Sequence, residues 1–302
     1  MRVREIASRI KKRDRIALAK GISLAENDPE GAAKLLAYMG PPGRAFVVGI
    51  TGPPGTGKSS LVDRLIEAYR KDGLKIGVIA VDPSSPITGG ALLGDRIRMS
   101  GHAGDLDVFI RSMASRGWSG GLSRATSQVI RLMDAAGYDL ILLETVGIGQ
   151  SDIEVVGVSH AVLVVLMPGL GDDIQVSKAG LMEIGDVYVV NKSDIEGADL
   201  MVVNLLSIFR GAPRSPPVLK VSALSGEGID RLHDDIERIR RPFTAGNTDL
   251  RLRSIRGMIV ETARGAAMEH LAGVSESRAD RLARQVLEGR TTIEAAAARL
   301  SA

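Results

Sequence analysis

The sequence predicts an α/β protein in which a mostly parallel β-sheet is covered by helices on both faces and flanked by helical extensions. Short, nearly continuous apolar runs alternate with segments of helical periodicity from about residue 46 to residue 223. Such runs are typical of parallel strands that are buried on both faces. Outside this region, apolar residues recur only at helical spacing. We therefore expect an N-terminal helical extension (1–40), a central domain (41–242) and a C-terminal helical arm (243–302).

The elements follow one another in a regular order. Apolar residues at helical spacing, among them Ile6 and Ile10, come first, and the breaker GPPGR at 40–44 ends this part. Seven apolar runs then predict seven strands: FVVGIT (46–51), KIGVIAVD (75–82), LDVFIRS (106–112), YDLILLET (138–145), AVLVVLM (161–167), DVYVVNK (186–192) and VLKVSA (218–223). After Pro242 the strand signals stop, and Thr291-x-x-Glu294 has the capping-box pattern that predicts the start of a last helix.

Composition excludes several classes of protein. A chain of 302 residues with 44% hydrophobic residues can bury a substantial core, and its longest apolar runs are shorter than the roughly 20 residues of a membrane-spanning helix. The absence of cysteine rules out disulfides and thiolate metal sites. A net charge of +3 and 3% aromatic residues argue against nucleic-acid binding. The charged N-terminus is not typical of a secretory signal. We expect a cytoplasmic protein that binds neither membrane nor nucleic acid.

The stretch GITGPPGTGKSS (49–60) lies between the first predicted strand and a predicted helix. It matches G-x-x-x-x-G-K-[ST], the phosphate-binding loop of P-loop NTPases. In this loop, backbone N–H groups point at phosphate oxygens, Lys58 is expected to reach the terminal phosphates, and Ser59 is expected to ligate Mg²⁺. The predicted nucleotide-binding residues here are Gly52, Pro53, Pro54, Gly55, Thr56, Gly57, Lys58, Ser59 and Ser60.

A second motif predicts which base is bound. Asn191, Lys192 and Asp194 form N-K-x-D at the end of a predicted strand. A carboxylate at Asp194 can accept the N1 and N2 donors of guanine, and adenine has no donors at those positions. The loop VSALSGEG (221–228) follows, and the amide of Ala223 is expected to meet the guanine oxygen. We therefore predict GTP or GDP as ligand, with Ser222, Ala223 and Leu224 beside the base.

Three carboxylates are candidates for Mg²⁺ binding and, together with Lys58, for catalysis. Asp82 and Glu144 end apolar strands, at the sheet edge where open α/β sheets bind ligands, and Asp95 lies in a glycine-rich segment. The alternative is that Asp82 and Glu144 are helix caps or surface charges and that Asp95 is solvated. Gly147 is expected to offer its amide to the γ-phosphate. No glutamine directly follows Gly147, so the residue that positions the attacking water is left open, with Gln150 as one candidate.

Several stretches go beyond the generic P-loop pattern, namely VVGITGPPGTGKSSLVD, VIAVDPSSPITGGALLGDRIRM, VFIRSMASRG, LILLETVGIGQSD, LMPGLGDDIQVSKAGLMEIGDVYVVNKSD and VSALSGEGID. In these the chain resembles the MeaB/ArgK/MMAA-type GTPases. The resemblance implies a SIMIBI-type G domain and a chaperone that gates adenosylcobalamin loading, protection and reactivation of an acyl-CoA mutase, mainly methylmalonyl-CoA mutase. It also implies an additional switch at 168–178, a homodimer formed through the C-terminal arm, and a cobalamin adenosyltransferase as a second partner.

Two features bear on the partner. PGLGDDIQVSK (168–178) differs at several places from the family's usual PGAGDELQGIK, so the particular mutase stays open. Nothing reads Asp-x-His-x-x-Gly, the cobalamin-binding motif of such mutases, and the histidines are scattered at His102, His160, His233 and His270. We therefore expect adenosylcobalamin to bind only through the partner.

Three alternatives remain beside the chaperone. A nickel-enzyme maturation GTPase would need a His- or Cys-rich metal store, which the scattered histidines and the lack of cysteine argue against. A kinase acting on a transport protein or a small molecule would need a positioned general base and an acceptor pocket. A nucleotide-gated interaction protein with negligible turnover would differ in showing no partner-stimulated hydrolysis.

Overall fold

The sheet is parallel throughout. The structure is a computed structural model that describes residues 3–82, 100–102, 104–114, 124–145, 147, 151–169, 180–272 and 276–301. Its strands are β1 (Phe46–Thr51), β2 (Ile76–Asp82), β3 (Val108–Ala114), β4 (Leu140–Glu144), β5 (Ala161–Leu166), β6 (Val187–Val190) and β7 (Val218–Lys220). They form one seven-stranded sheet in the order β3-β2-β4-β1-β5-β6-β7, with every pair parallel. The predicted α/β fold and all seven predicted strands are confirmed.

Among the described residues, helices lie between strands and at both ends of the chain. They are α1 (Val3–Lys11), α2 (Arg15–Asn27), α3 (Pro29–Ala37), α4 (Lys58–Lys71), α5 (Arg124–Ala135), α6 (Ser151–Val158), α7 (Leu181–Ile184), α8 (Ala198–Phe209), α9 (Ile229–Thr244), α10 (Thr248–Ala272), α11 (Glu276–Leu287) and α12 (Ile293–Ser301). A short 3₁₀ helix lies at Ser100–His102. The division into three parts stays a prediction.

Two apolar layers cover the sheet. On one face, α4 and α9 pack against the strands through fully buried residues such as Leu65 and Ile236. On the other face, the layer includes α5, α6 and α8, and α1–α3 pack against α5. The N-terminal helices therefore share a core with the sheet, with Ile10 and Leu35 fully buried beside Leu132 of α5. Burial of both sheet faces explains why the strands read as unbroken apolar runs.

The N-terminal cap of α12 differs from the prediction by one residue. Thr292, rather than Thr291, precedes α12, and its hydroxyl accepts a hydrogen bond from the Ala295 amide. The capping-box prediction of Thr291 was therefore one residue too early, because two adjacent threonines offer the same side-chain oxygen. In the part of the chain that the structure describes, no helix has the length and apolar character needed to cross a membrane.

Candidate nucleotide-binding site

The predicted phosphate loop leaves the centre of the sheet. It begins at the end of β1, between β4 and β5, and leads into α4. Gly52 has a φ of 137°, and a Cβ added there would lie 2.0 Å from the Val165 carbonyl oxygen of β5. Only glycine allows this close approach together with this backbone conformation. The Lys58 ammonium donates to the carbonyl oxygens of Gly52 (2.8 Å) and Pro53 (3.0 Å), so it lies inside the curve of the loop.

The predicted magnesium ligands Ser59 and Glu144 are in contact. The Ser59 hydroxyl donates to Glu144 Oε1 at 2.7 Å, and both residues are buried. The parallel register explains this, because Ile50 of β1 pairs with Glu144, which ends β4 beside the loop. Hydroxyl and carboxylate oxygens are the ligand type that Mg²⁺ prefers, so this pair fits the ion. Among the described residues, no group of three or more His, Cys, Asp or Glu side chains is arranged to hold a metal.

Gly147 lies directly on the phosphate loop. Its φ is 81°, and an added Cβ would lie 1.9 Å from the Gly52 carbonyl oxygen and 2.7 Å from Lys58 Nζ. Any side chain at this position would therefore displace the loop or the lysine. The segment that follows β4 thus touches the phosphate loop at a glycine shortly before α6 begins.

The predicted base-binding residues meet at the ends of β6 and β7. The Asn191 side chain donates from Nδ2 to the Thr56 carbonyl oxygen (2.8 Å), and its Oδ1 accepts from the backbone N–H of Ala223 (3.0 Å). The Ser222 hydroxyl donates to Asp194 Oδ1 at 2.8 Å. In this structure the partner of the Ala223 amide is thus Asn191, and the predicted bond to the guanine oxygen would share or replace that contact. Asn191 ties the phosphate loop to the 222–224 loop.

Lys192 and the surrounding cavity complete this part of the site. Lys192 has a φ of 58°, a left-handed conformation that is uncommon outside glycine and is often found at functional sites. A cavity of about 470 Å³ opens between α4 and the two loops. Its lining residues include the start of α4 and both predicted base loops: Gly57, Ser59, Ser60, Asn191, Lys192, Asp194, Ser222, Ala223 and Leu224. A cavity of this size can receive a base and a ribose.

Other predicted residues are placed less completely. Asp82 ends β2, and the neighbouring β4 ends at Glu144, but the Asp82 side chain is outside the described part. Asp95 and most of the 168–178 segment also lie outside the described residues. Pro54 and Gly55 form the exposed tip of the phosphate loop.

Sequence reasoning missed Asp63 and Arg64, which line the same cavity from α4. Asp63 pairs with His102 (2.9 Å), and the Arg64 side chain bonds to the 222–224 loop. Because the P-loop pattern ends at Ser59, it carries no signal for these two positions. Helical spacing could have indicated Arg64, since residues four apart, such as Ser60 and Arg64, share a helix face.

The family described as Methylmalonyl Co-A mutase-associated GTPase MeaB matches residues 18–274 of the chain. The chain belongs to this family. Within it, a protein of Pyrococcus abyssi that is named as a GTPase is 50% identical over 244 residues, covering 78% of this chain and 75% of that protein. The Mus musculus protein named methylmalonic aciduria type A homolog, mitochondrial, is 36% identical over 200 residues, which is 63% of this chain and 48% of the mouse protein.

A solved structure matches the fold over nearly the whole chain. The crystal structure of a protein named LAO/AO transport system kinase matches with a TM-score of 0.73 and 27% identity, covering 99% of this chain and 96% of that one. The MeaB-family chain is thus a P-loop GTPase, as the sequence predicted, and guanine nucleotide and Mg²⁺ are the general ligands of such a family. The roles of the individual site residues stay predictions.

Proposed function

We propose that this GTPase is a switch that binds GTP and Mg²⁺ between the phosphate loop and the two base loops and gates adenosylcobalamin loading, protection and reactivation of an acyl-CoA mutase. The observation that carries the switch is the close approach of Gly147 to the phosphate loop, where an added Cβ would collide with the Gly52 carbonyl and Lys58 Nζ. A loop in that position is within reach of the terminal phosphate, so it can respond to the loss of that phosphate. The family's description as mutase-associated supports the client.

The phosphate end of the site works through backbone N–H groups and Lys58. The start of α4 presents N–H groups to the phosphates, because Gly57 precedes it without a capping side chain. Lys58 exchanges the Gly52 and Pro53 carbonyls for phosphate oxygens when the nucleotide binds. Bound Mg²⁺ would neutralise phosphate charge during transfer, held by Ser59 with Glu144, Asp82 and Asp95 as further oxygen donors.

The switch links the site to the surface through α6. The Gly147 amide bonds the γ-phosphate in the GTP state and loses that partner after hydrolysis. Since α6 begins shortly after Gly147, its position follows the nucleotide state. The 168–178 segment follows β5, the neighbour of β1, and we propose it as the additional switch that faces the partner. A docked partner therefore experiences hydrolysis as a change in the population of loop conformations.

The proposed partners are a cobalamin-dependent acyl-CoA mutase, with methylmalonyl-CoA mutase as the first candidate, and a cobalamin adenosyltransferase. Adenosylcobalamin is bound by the mutase and not by this chain. A second copy of the chain is the proposed dimer partner, with the C-terminal arm as the contact. A cytoplasmic location remains part of the proposal.

The test is steady-state GTP hydrolysis by the purified protein, with and without the mutase of the same source, and with ATP as control nucleotide. Slow, GTP-selective hydrolysis that rises when the mutase is added is the expected result. Lys58→Ala should abolish hydrolysis, because the phosphate loop loses the one cationic side chain in its sequence. Absence of both stimulation and complex formation would contradict the mutase as client, and wild-type turnover in Lys58→Ala would contradict the phosphate site.

A kinase is the second candidate, favoured by the name of the solved structure that matches the whole chain. The two functions differ in the fate of the γ-phosphate. With GTP labelled at this phosphate, a switch releases the label as inorganic phosphate. A kinase transfers it to a protein or small-molecule acceptor, and label on an acceptor in the presence of a cell extract would favour that function.

A further inference from the structure

We infer that Arg64 is a positioning residue for guanine selectivity, an inference that rests on the proposed function of this site. Arg64 lies on α4, the helix that begins at the phosphate loop, and its side chain is one-third exposed (33%). The guanidinium reaches across the cavity to the 222–224 loop. It is thus a side chain of the phosphate half of the site that holds the base half.

The contact is a fork on two successive carbonyls. Arg64 Nε donates to the Ala223 carbonyl oxygen at 2.9 Å, and an Nη donates to the Leu224 carbonyl oxygen at 2.8 Å. The other Nη bonds Glu67 at 3.0 Å on the next turn of α4. A planar guanidinium with donors at both edges fits two adjacent carbonyls, and charge-assisted hydrogen bonds of this kind are stronger than neutral ones.

Ala223 is consequently held from both sides. Asn191 accepts from the Ala223 backbone N–H, and Arg64 donates to the Ala223 carbonyl, so both peptide groups that flank the Ala223 Cα are hydrogen-bonded. A shift of either peptide group would lose one of these bonds. The amide of Ala223 is the group proposed to meet the guanine oxygen. Adenine carries an amino group at that position, so a correctly placed N–H donor rejects it. Fixing this amide therefore contributes to guanine over adenine selectivity without any contact between Arg64 and the base.

The chemistry separates this role from that of Asp194. Guanine and hypoxanthine both carry the oxygen that the Ala223 N–H would meet, whereas only guanine carries the 2-amino group whose N–H the Asp194 carboxylate would accept. Loss of Arg64 should thus reduce the affinities for GDP and IDP by the same factor and leave the ratio of these two affinities unchanged. ADP has no oxygen at this position, so its binding should change little.

The experiment is equilibrium binding of GDP, IDP and ADP, each with Mg²⁺, to wild type, Arg64→Ala and Arg64→Lys. For Arg64→Ala we expect GDP and IDP affinities to fall about tenfold, the order of magnitude for losing charge-assisted hydrogen bonds, with ADP changed less than about twofold. Arg64→Lys keeps the charge but can reach one carbonyl only, so it should give an intermediate loss.

Arg70→Ala is the matched control. Arg70 is on the same helix with similar exposure, but it bonds Asp105 (2.7 Å), away from the base loops, so its loss should leave all three affinities unchanged. Equal weakening of GDP, IDP and ADP in Arg64→Ala, or no change in GDP binding, would overturn the inference. A wild-type protein that does not prefer GDP over ADP would instead overturn the proposed guanine site and this inference with it.

Discussion

Asp194 is the residue on which the proposed base selectivity depends most directly. One of its oxygens already accepts from Ser222, which fixes the orientation of the carboxylate toward the cavity. Asp194→Asn replaces an acceptor by a donor, and this donor matches the oxygen at position 2 of xanthine. We expect the preference to move from guanine to xanthine nucleotides by one to two orders of magnitude, measured as the ratio of GDP to XDP affinity. An unchanged ratio would remove Asp194 from the base site.

His160 is a residue whose protonation should affect stability. Its Nδ1 accepts from the Val47 amide (2.7 Å), its Nε2 is 2.7 Å from the Ser254 hydroxyl, and its ring packs on Phe46 and Phe243. Burial lowers the pKa of His160 from 6.5 to about 4. The charged groups around the adjoining cavity are the side chains of Arg131, Asp134 and Arg251. The native state thus holds this histidine neutral.

The direction of the pH effect follows from this lowered pKa. Between pH 6.5 and about 4 the unfolded chain binds a proton at His160 and the native protein does not, so the free energy of unfolding falls as the pH falls. The loss is at most roughly 3 kcal/mol, at about 1.4 kcal/mol for each pKa unit. His160→Gln keeps an acceptor but cannot titrate. Urea unfolding at pH 7, 5.5 and 4.5 should show the wild type losing its advantage over this variant, and parallel pH curves would contradict the assignment.

At the scale of elements, the joint between α6 and α10 depends on glycine. A Cβ added at Gly257 of α10 would lie 2.2 Å from the Gly157 carbonyl oxygen of α6, and one added at Gly157 would lie 2.5 Å from Glu261 Cγ. Because the nearest atom to Gly257 is backbone, it cannot turn away as a side chain would. The two helices can approach this closely because both positions are glycine. A side chain at either position would collide with the opposite helix.

This joint predicts that Gly257→Ala lowers the stability, whereas helix propensity alone would predict that it raises the stability. Gly257→Ala should raise helix propensity by about 1 kcal/mol, but overpacking against the α6 backbone should cost about 1–3 kcal/mol and displace α10. We expect a lower urea midpoint and faster hydrogen exchange in α10. Gly104→Ala is the control, since an added Cβ there meets nothing within 4 Å. A more stable Gly257→Ala protein would show that the joint adapts without cost.

At the scale of the whole molecule, the C-terminal helices expose an apolar surface. A groove of about 520 Å³ between α11 and α12 has an almost wholly aliphatic lining, and Leu287 and Ile293 at its edge are 87% and 70% exposed. Contiguous exposed apolar surface marks interaction sites in soluble proteins. This groove is the contact that the proposed homodimer would use.

The double variant Leu287→Glu, Ile293→Glu tests that proposal, because two buried carboxylates at a dimer contact would be strongly unfavourable. Light scattering coupled to size exclusion should show a wild-type dimer and a monomeric variant, with GTP hydrolysis per chain unchanged. Surface Arg253→Glu on α10 is a control for added negative charge. A wild-type monomer at micromolar concentration, or a variant that stays dimeric, would contradict the arm as the contact.

The sequence by itself determined the strands, the phosphate loop and the base motif of this protein. Strands buried on both faces must be apolar throughout, and glycines with a fixed spacing to Lys58 and Ser59 are required locally, so both leave a pattern in one dimension. The same kind of local pattern predicted the cap of α12 one residue too early. Thr291 and Thr292 have the same side chain, and only the position where the helix begins shows which of them is the cap.

Only the tertiary structure decided which distant residues meet. Parallel register brings Glu144 to Ser59, Asn191 joins Thr56 to Ala223, and Arg64 reaches a loop that follows it by more than half the chain. Contacts such as these form between positions whose separation along the chain carries no periodicity, and the side chains involved have many alternative partners. Their pairing is fixed by the sheet order, which places the carboxyl ends of β4, β1, β5, β6 and β7 next to one another.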